Sequence, residues 1–125
     1  MTASPTIAPA RLTSLLQQFR RARVLVVGDL LLDEFVWGKV TRISPEAPVP
    51  VVWVQSESVM PGGAANVANN IRALGGAVRL VGVAGTDRWG EVLLRELAAR
   101  TIDTAGVIRD AARPTTVKTR VIAHH

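Results

Sequence analysis

The chain has 125 residues, enough for one domain or for part of a larger one. Hydrophobic residues make up 48% and charged residues 20%, which excludes a disordered chain; with aromatics at 4%, the core must be filled by Val, Leu, Ile and Ala. Cys is absent, which excludes a disulfide scaffold, a Cys-ligated zinc site and a cysteine nucleophile, and the net charge of +5 comes from cations scattered along the chain, with one tight cluster at Arg20-Arg21-Arg23 and no basic–aromatic alternation of the kind that grips nucleic acid.

Residues 1–9 read as a loose leader. They carry no basic segment followed by an apolar stretch, so no secretory signal is expected, and no apolar run approaches the roughly 18 residues of a membrane span. A cytoplasmic protein with no membrane partner is the resulting expectation. Leu12, Leu15, Leu16 and Phe19 recur at helical spacing and predict an amphipathic helix over 10–22. Val24-Leu25-Val26-Val27 predicts a short parallel strand, buried on both faces. Residues 34–40 and 50–56 are β-rich and flank Ser44-Pro45-Glu46-Ala47-Pro48-Val49-Pro50, where three prolines bar a helix.

Pro61-Gly62-Gly63 predicts a break, and residues 64–74 a helix with Val67, Ile71 and Leu74 on its apolar face, stopped by Gly75-Gly76. Residues 77–84 predict a strand. Asp87 is placed to cap a helix over 88–100, with Trp89, Leu93 and Leu97 facing inward and Glu91 and Arg95 paired along its surface. Residues 105–109 and 115–123 predict two more strands. The strand–helix alternation indicates an α/β fold with a parallel sheet, and residues 34–56 a small β-flap beside it.

Two segments carry chemistry. In Gly62-Gly63-Ala64-Ala65-Asn66-Val67-Ala68, glycines open a helix whose first N–H groups lack partners, and Asn66 can donate and accept toward the hydroxyls of a polyol. The same residues also suit a tight loop with Asn66 as a local cap. Gly28-Asp29 and Asp33 follow the first strand, at the end of an α/β sheet where ligands gather; each aspartate reads equally as a sugar anchor or as a turn residue. Neither a Walker A loop nor a dinucleotide-binding glycine pattern occurs.

Taken together, Gly62 to Ala68, then six residues, Gly75, nine residues and Gly85 resemble the first signature of the ribokinase/PfkB carbohydrate kinases. Gly85-Thr86-Asp87-Arg88-Trp89-Gly90 is similar to that family's glycine–aspartate turn. Arg42 to Val51 and Arg113 to His124 resemble the kinase domains that act on D-glycero-β-D-manno-heptose 7-phosphate in ADP-heptose synthesis for lipopolysaccharide. The resemblance implies a ribokinase-like α/β fold: a partial parallel sheet with flanking helices and a β-lid formed by about 34–56, with 115–123 contributing.

The resemblance further implies that Asp33, Gly62, Gly63 and Asn66 bind the sugar, that Asp29 shapes a turn, and that the lid pairs with a second protomer as a homodimer. Arg42 and Lys118 are candidates for a sugar-phosphate contact, or else plain surface charges. In the family, ATP, Mg²⁺ and the catalytic base belong to a second signature around Gly-Ala-Gly-Asp, which this sequence does not contain. Residues 10–125 are therefore expected to be the N-terminal part of a kinase domain, inactive alone, with no catalytic residue or metal ligand of its own; His124-His125 are expected to be ordinary residues of an interrupted strand. A non-catalytic module that binds a sugar phosphate or dimerises, and a PfkB-type kinase for another sugar, are the alternatives.

Overall fold

The computed structural model describes residues 6–124, so most of the expected leader and His125 lie outside it. Helix α1 (Pro9–Gln18) opens on a proline, whose fixed φ suits a first helical position, and passes through a 3₁₀ turn at Phe19–Arg21 into strand β1 (Arg23–Val27). Then follow β2 (Leu30–Ile43), β3 (Pro50–Gly63), α2 (Ala64–Ala73), β4 (Ala77–Gly85), α3 (Arg88–Ala99), β5 (Asp103–Asp110) and β6 (Thr116–His124).

The strands form two sheets. β1, β4 and β5 run parallel in the order β1-β4-β5, the arrangement that helix-linked strands require. The second sheet has the order β3-β2-β6; β2 and β3 form an antiparallel hairpin, and β6 returns parallel to β2. Both hairpin strands extend further than their composition predicts. The predicted break at Pro61-Gly62-Gly63 is instead the last stretch of β3, paired with Leu32, Leu31 and Leu30. Pro61 is tolerated because β3 is an edge strand, where a missing N–H leaves no ladder bond unmade.

One core joins the sheets. Val78, Leu80 and Ala84 of β4 pack with Ala65 and Ala68 of α2, Leu93 and Leu97 of α3, Ile102, and Leu30 and Leu32 at the root of β2. α2 turns its small alanines inward. Val67, predicted on the buried face, lies about 200° around the helix from Ala65, and both it and Leu74 are exposed, while Ile71 packs against the core. α3 behaves as its spacing predicts, burying Leu93 and Leu97 completely. Glu91, however, pairs with Arg109 of β5 at 2.7 Å instead of with Arg95.

The prediction that β1 is buried on both faces fails. Val26 faces the core, but Leu25 and Val27 are 60% and 68% exposed, and Ile108 of β5 shares their side of the sheet. α1 likewise buries none of its residues, so its Leu12–Leu16–Phe19 stripe has no surface to pack on. The accessible area is 8782 Å², against roughly 6,500 Å² for a compact chain of this size, which measures how open the body is.

Candidate functional site

The site forms where the hairpin leaves the main sheet. Leu30 and Leu32 point into the core, so the two-residue period of β2 turns Leu31, Asp33 and Phe35 to the opposite face. Asp33 pairs with Met60 of β3 on one side and Lys118 of β6 on the other. Gly62 lies diagonally across from it. A Cβ there would meet Asp33 Oδ2 at 2.5 Å, so the absent side chain makes the space the carboxylate occupies.

Gly63 ends β3 and starts α2. Its φ of 58° is a left-handed conformation that glycine adopts without steric cost, and a Cβ would strike the Asp29 carbonyl oxygen at 2.5 Å. That oxygen accepts a 2.9 Å hydrogen bond from Ala64 N. The backbone of Asp29 thus ties the β1–β2 turn to the start of α2. No side chain caps α2, so beyond the Ala64 amide its first-turn N–H groups are left to solvent or a ligand, and Asn66 sits exposed in that turn.

Asp33, Gly62, Gly63 and Asn66 therefore come from adjoining positions around one corner, beyond the carboxyl end of β1, the place where ligands bind in open α/β sheets. Lys118 joins them through its register with Asp33. Arg42 does not: it pairs with Val51 near the hairpin tip, about 30 Å along the strand from Asp33.

Two residues were not singled out from the sequence. Arg120 Nη1 donates to Asp33 Oδ1 at 2.6 Å, and its guanidinium lies 5.2 Å from the centre of the Phe35 ring. The signal for it is the alternation Lys118-Thr119-Arg120, which puts both cations on one face of β6. Thr115 is the second. Its buried hydroxyl accepts from Gly85 N at 2.9 Å, and its own N–H donates to Asp87 Oδ2 at 2.8 Å. Asp87 Oδ1 accepts from Gly90 N at 2.8 Å, so one carboxylate caps α3 and holds the loop that delivers β6. The Thr115 and Gly90 amides keep the Asp87 carboxyl below its ordinary pKa.

An open groove of about 680 Å³ lies elsewhere, at the amino ends of β1 and β4, lined by Arg23, Arg72, Arg79 and Asp103 among others. It is remote from Asp33 and lies at the end of the sheet where such folds do not usually bind ligands. Among the described residues, no group of three or more His, Asp or Glu gathers in one place. Nor is any described helix long and apolar enough to cross a membrane.

A half-covered parallel sheet, a β-lid rooted beside it and a glycine-entered helix at the junction make this a ribokinase-like α/β protein. The chain belongs to the pfkB family of carbohydrate kinases, whose model matches residues 21–125. It is 54% identical over 103 residues to the bifunctional protein HldE of Helicobacter pylori strain P12, covering 82% of this chain and 22% of that protein. It is also 54% identical over 107 residues to HldE of Magnetococcus marinus, covering 86% of this chain and 22% of that protein. The chain thus spans about a fifth of the length of these relatives. Among solved structures, the fructokinase of Xylella fastidiosa with bound ATP superimposes with a TM-score of 0.61 at 28% identity, over 80% of this chain and 29% of that one. A carbohydrate kinase from Agrobacterium tumefaciens superimposes with a TM-score of 0.64 at 24% identity, over 82% of this chain and 32% of that one, and shows the shared fold.

Proposed function

We propose that this chain is the sugar-binding part of an ATP-dependent carbohydrate kinase that phosphorylates heptose 7-phosphate at O1, in the synthesis of ADP-heptose for lipopolysaccharide. The observation that carries the reading is the seating of the Asp33 carboxylate over Gly62, beside the uncapped start of α2. Asp33 accepts hydrogen bonds from sugar hydroxyls, each contributing about 1.5–3 kcal/mol because the acceptor is charged. Asn66 donates to and accepts from the same sugar. Gly62 and Gly63 let the sugar approach the backbone. The similarity to HldE proteins supports the heptose.

ATP with Mg²⁺ supplies the transferred phosphoryl group in the whole enzyme, and the base and anion hole come from residues outside this chain. The chain alone binds sugar without turning it over. Its lid, which exposes Trp37, Trp53 and Val54, is the surface through which two copies pair. The same exposed lid supports a second reading, a non-catalytic sugar-phosphate-binding or dimerisation module. A kinase for a different sugar is a third, supported by the likeness to fructokinase.

Calorimetric titration with heptose 7-phosphate, fructose and ribose tests the reading. Saturable binding of the heptose phosphate, weakened roughly tenfold or more in Asp33→Asn and in Asn66→Ala, is the expected result. Preference for another sugar selects the third reading, and unchanged binding in both variants removes Asp33 and Asn66 from the site.

A further inference from the structure

Asp33 is not free in this structure. Its Oδ1 accepts from Arg120 Nη1 at 2.6 Å, and its side chain is 22% exposed. Arg120 is 41% exposed and rests near the Phe35 ring, so it is held on one side and open to solvent on the other. On the opposite face of β6, the Thr119 hydroxyl donates to Glu34 Oε2 at 2.6 Å and helps to fix the strand's register. With that register, Lys118 and Arg120 both stand on the Asp33 face, opposite Asp33 and Phe35 respectively. This patch therefore carries one carboxylate and two cations.

The arrangement sets a condition on any ligand that uses Asp33. A neutral sugar hydroxyl that comes to Oδ1 competes there with the Arg120 guanidinium and offers that cation no anion in return. A sugar bearing a phosphate supplies a replacement anion, and a guanidinium matches phosphate through paired hydrogen bonds. We propose that Arg120 is a specificity-determining residue that exchanges Asp33 for the phosphate of the incoming sugar, assisted by Lys118, so that the site favours phosphorylated over free sugars. This rests on the reading of Asp33 as the sugar anchor.

The test is titration of the 125-residue chain with heptose 7-phosphate and with free heptose, in wild type, Arg120→Gln, Arg120→Lys and Asp33→Asn. Wild type is expected to prefer the phosphorylated sugar by roughly tenfold or more. Arg120→Gln brings the two affinities to within about threefold, because it weakens the phosphate ligand and strengthens the free sugar, which no longer competes with the guanidinium. Arg120→Lys keeps the charge but not the fork and falls between. Inorganic phosphate competes with heptose 7-phosphate in wild type and loses that ability in Arg120→Gln.

An unchanged preference in Arg120→Gln overturns the proposal. So does equal weakening of both sugars, which would mean that Arg120 only positions Asp33. If Asp33→Asn alters neither titration, or if wild type binds neither sugar, it is the sugar-anchor reading that falls, and this proposal with it. Should Arg120→Gln not fold, wild-type preference in Arg120→Lys for either sugar at an unchanged ratio is equally decisive against it.

Discussion

Gly62 and Asp33 are coupled through a missing side chain: a methyl group on Gly62 would sit 2.5 Å from Asp33 Oδ2, inside contact distance. Gly62→Ala must therefore push the carboxylate, and Leu31 beside it, out of place. Overpacking at this buried position is expected to cost about 1–3 kcal/mol of stability. Sugar-phosphate affinity should fall further than the loss of folded protein explains. Urea denaturation and calorimetric titration of the same preparation check this; an alanine variant that binds normally would show that Asp33 has another place to go.

Gly63 makes a different demand. Its φ of 58° and the nearby Asp29 carbonyl oxygen leave no room for a side chain. Gly63→Ala is expected to be destabilising by roughly 1–3 kcal/mol and to detach the start of α2 from the β1–β2 turn. Hydrogen exchange at the Ala64 amide, which donates to Asp29 O, should speed up in the variant while amides in the middle of α3 keep their rates.

Asp87 links two elements, capping α3 through Gly90 N and holding the β5–β6 loop through Thr115 N. Those bonds favour the charged carboxylate and lower its pKa from 3.8. The folded state therefore releases this proton more readily than the unfolded chain, so the stabilisation is present above the unfolded pKa and is lost as pH falls through the lower folded value. Asp87→Asn should lower Tm by a few degrees at neutral pH, and the gap to wild type should close as pH falls below the ordinary carboxylate range. Asp103, lowered by the Ala105 amide and Arg79, titrates alike in both proteins and cancels from the difference. Thermal melts followed by circular dichroism across that range check the sign.

How much of this was legible in the sequence depends on how local each signal is. α3 could be read because Asp87, Leu93 and Leu97 act within one helix. The glycines at 62 and 63 were legible as the entry to α2, but their membership of β3 was not, since it depends on pairing with residues 30–32 and on the edge position that tolerates Pro61. Arg120 escaped notice because its partner is 87 residues away, and no periodicity fixes a register over that separation. The buried face of β1 was overestimated for a related reason: an apolar run states what a strand could bury, and not what is there to cover it.

The open side of the main sheet leads to a prediction about behaviour in solution. Leu25, Val27 and Ile108 lie exposed on one face. Contiguous apolar surface of this kind drives association. The chain is expected to elute from a sizing column at a mass that rises with concentration, and Val27→Lys should flatten that rise. A wild-type chain that stays monomeric at high concentration would contradict this.

Sugar is proposed to seat at the corner formed by Asp33, Gly62, Gly63 and Asn66. The most direct measurement is a ¹⁵N–¹H spectrum of the labelled chain titrated with heptose 7-phosphate. Saturable shifts are expected to cluster on those four amides and on Lys118 and Arg120, with Arg42 at the hairpin tip unmoved. Shifts that gather instead around Arg23, Arg72 and Arg79 at the other end of the sheet, or a spectrum that does not move, would contradict it.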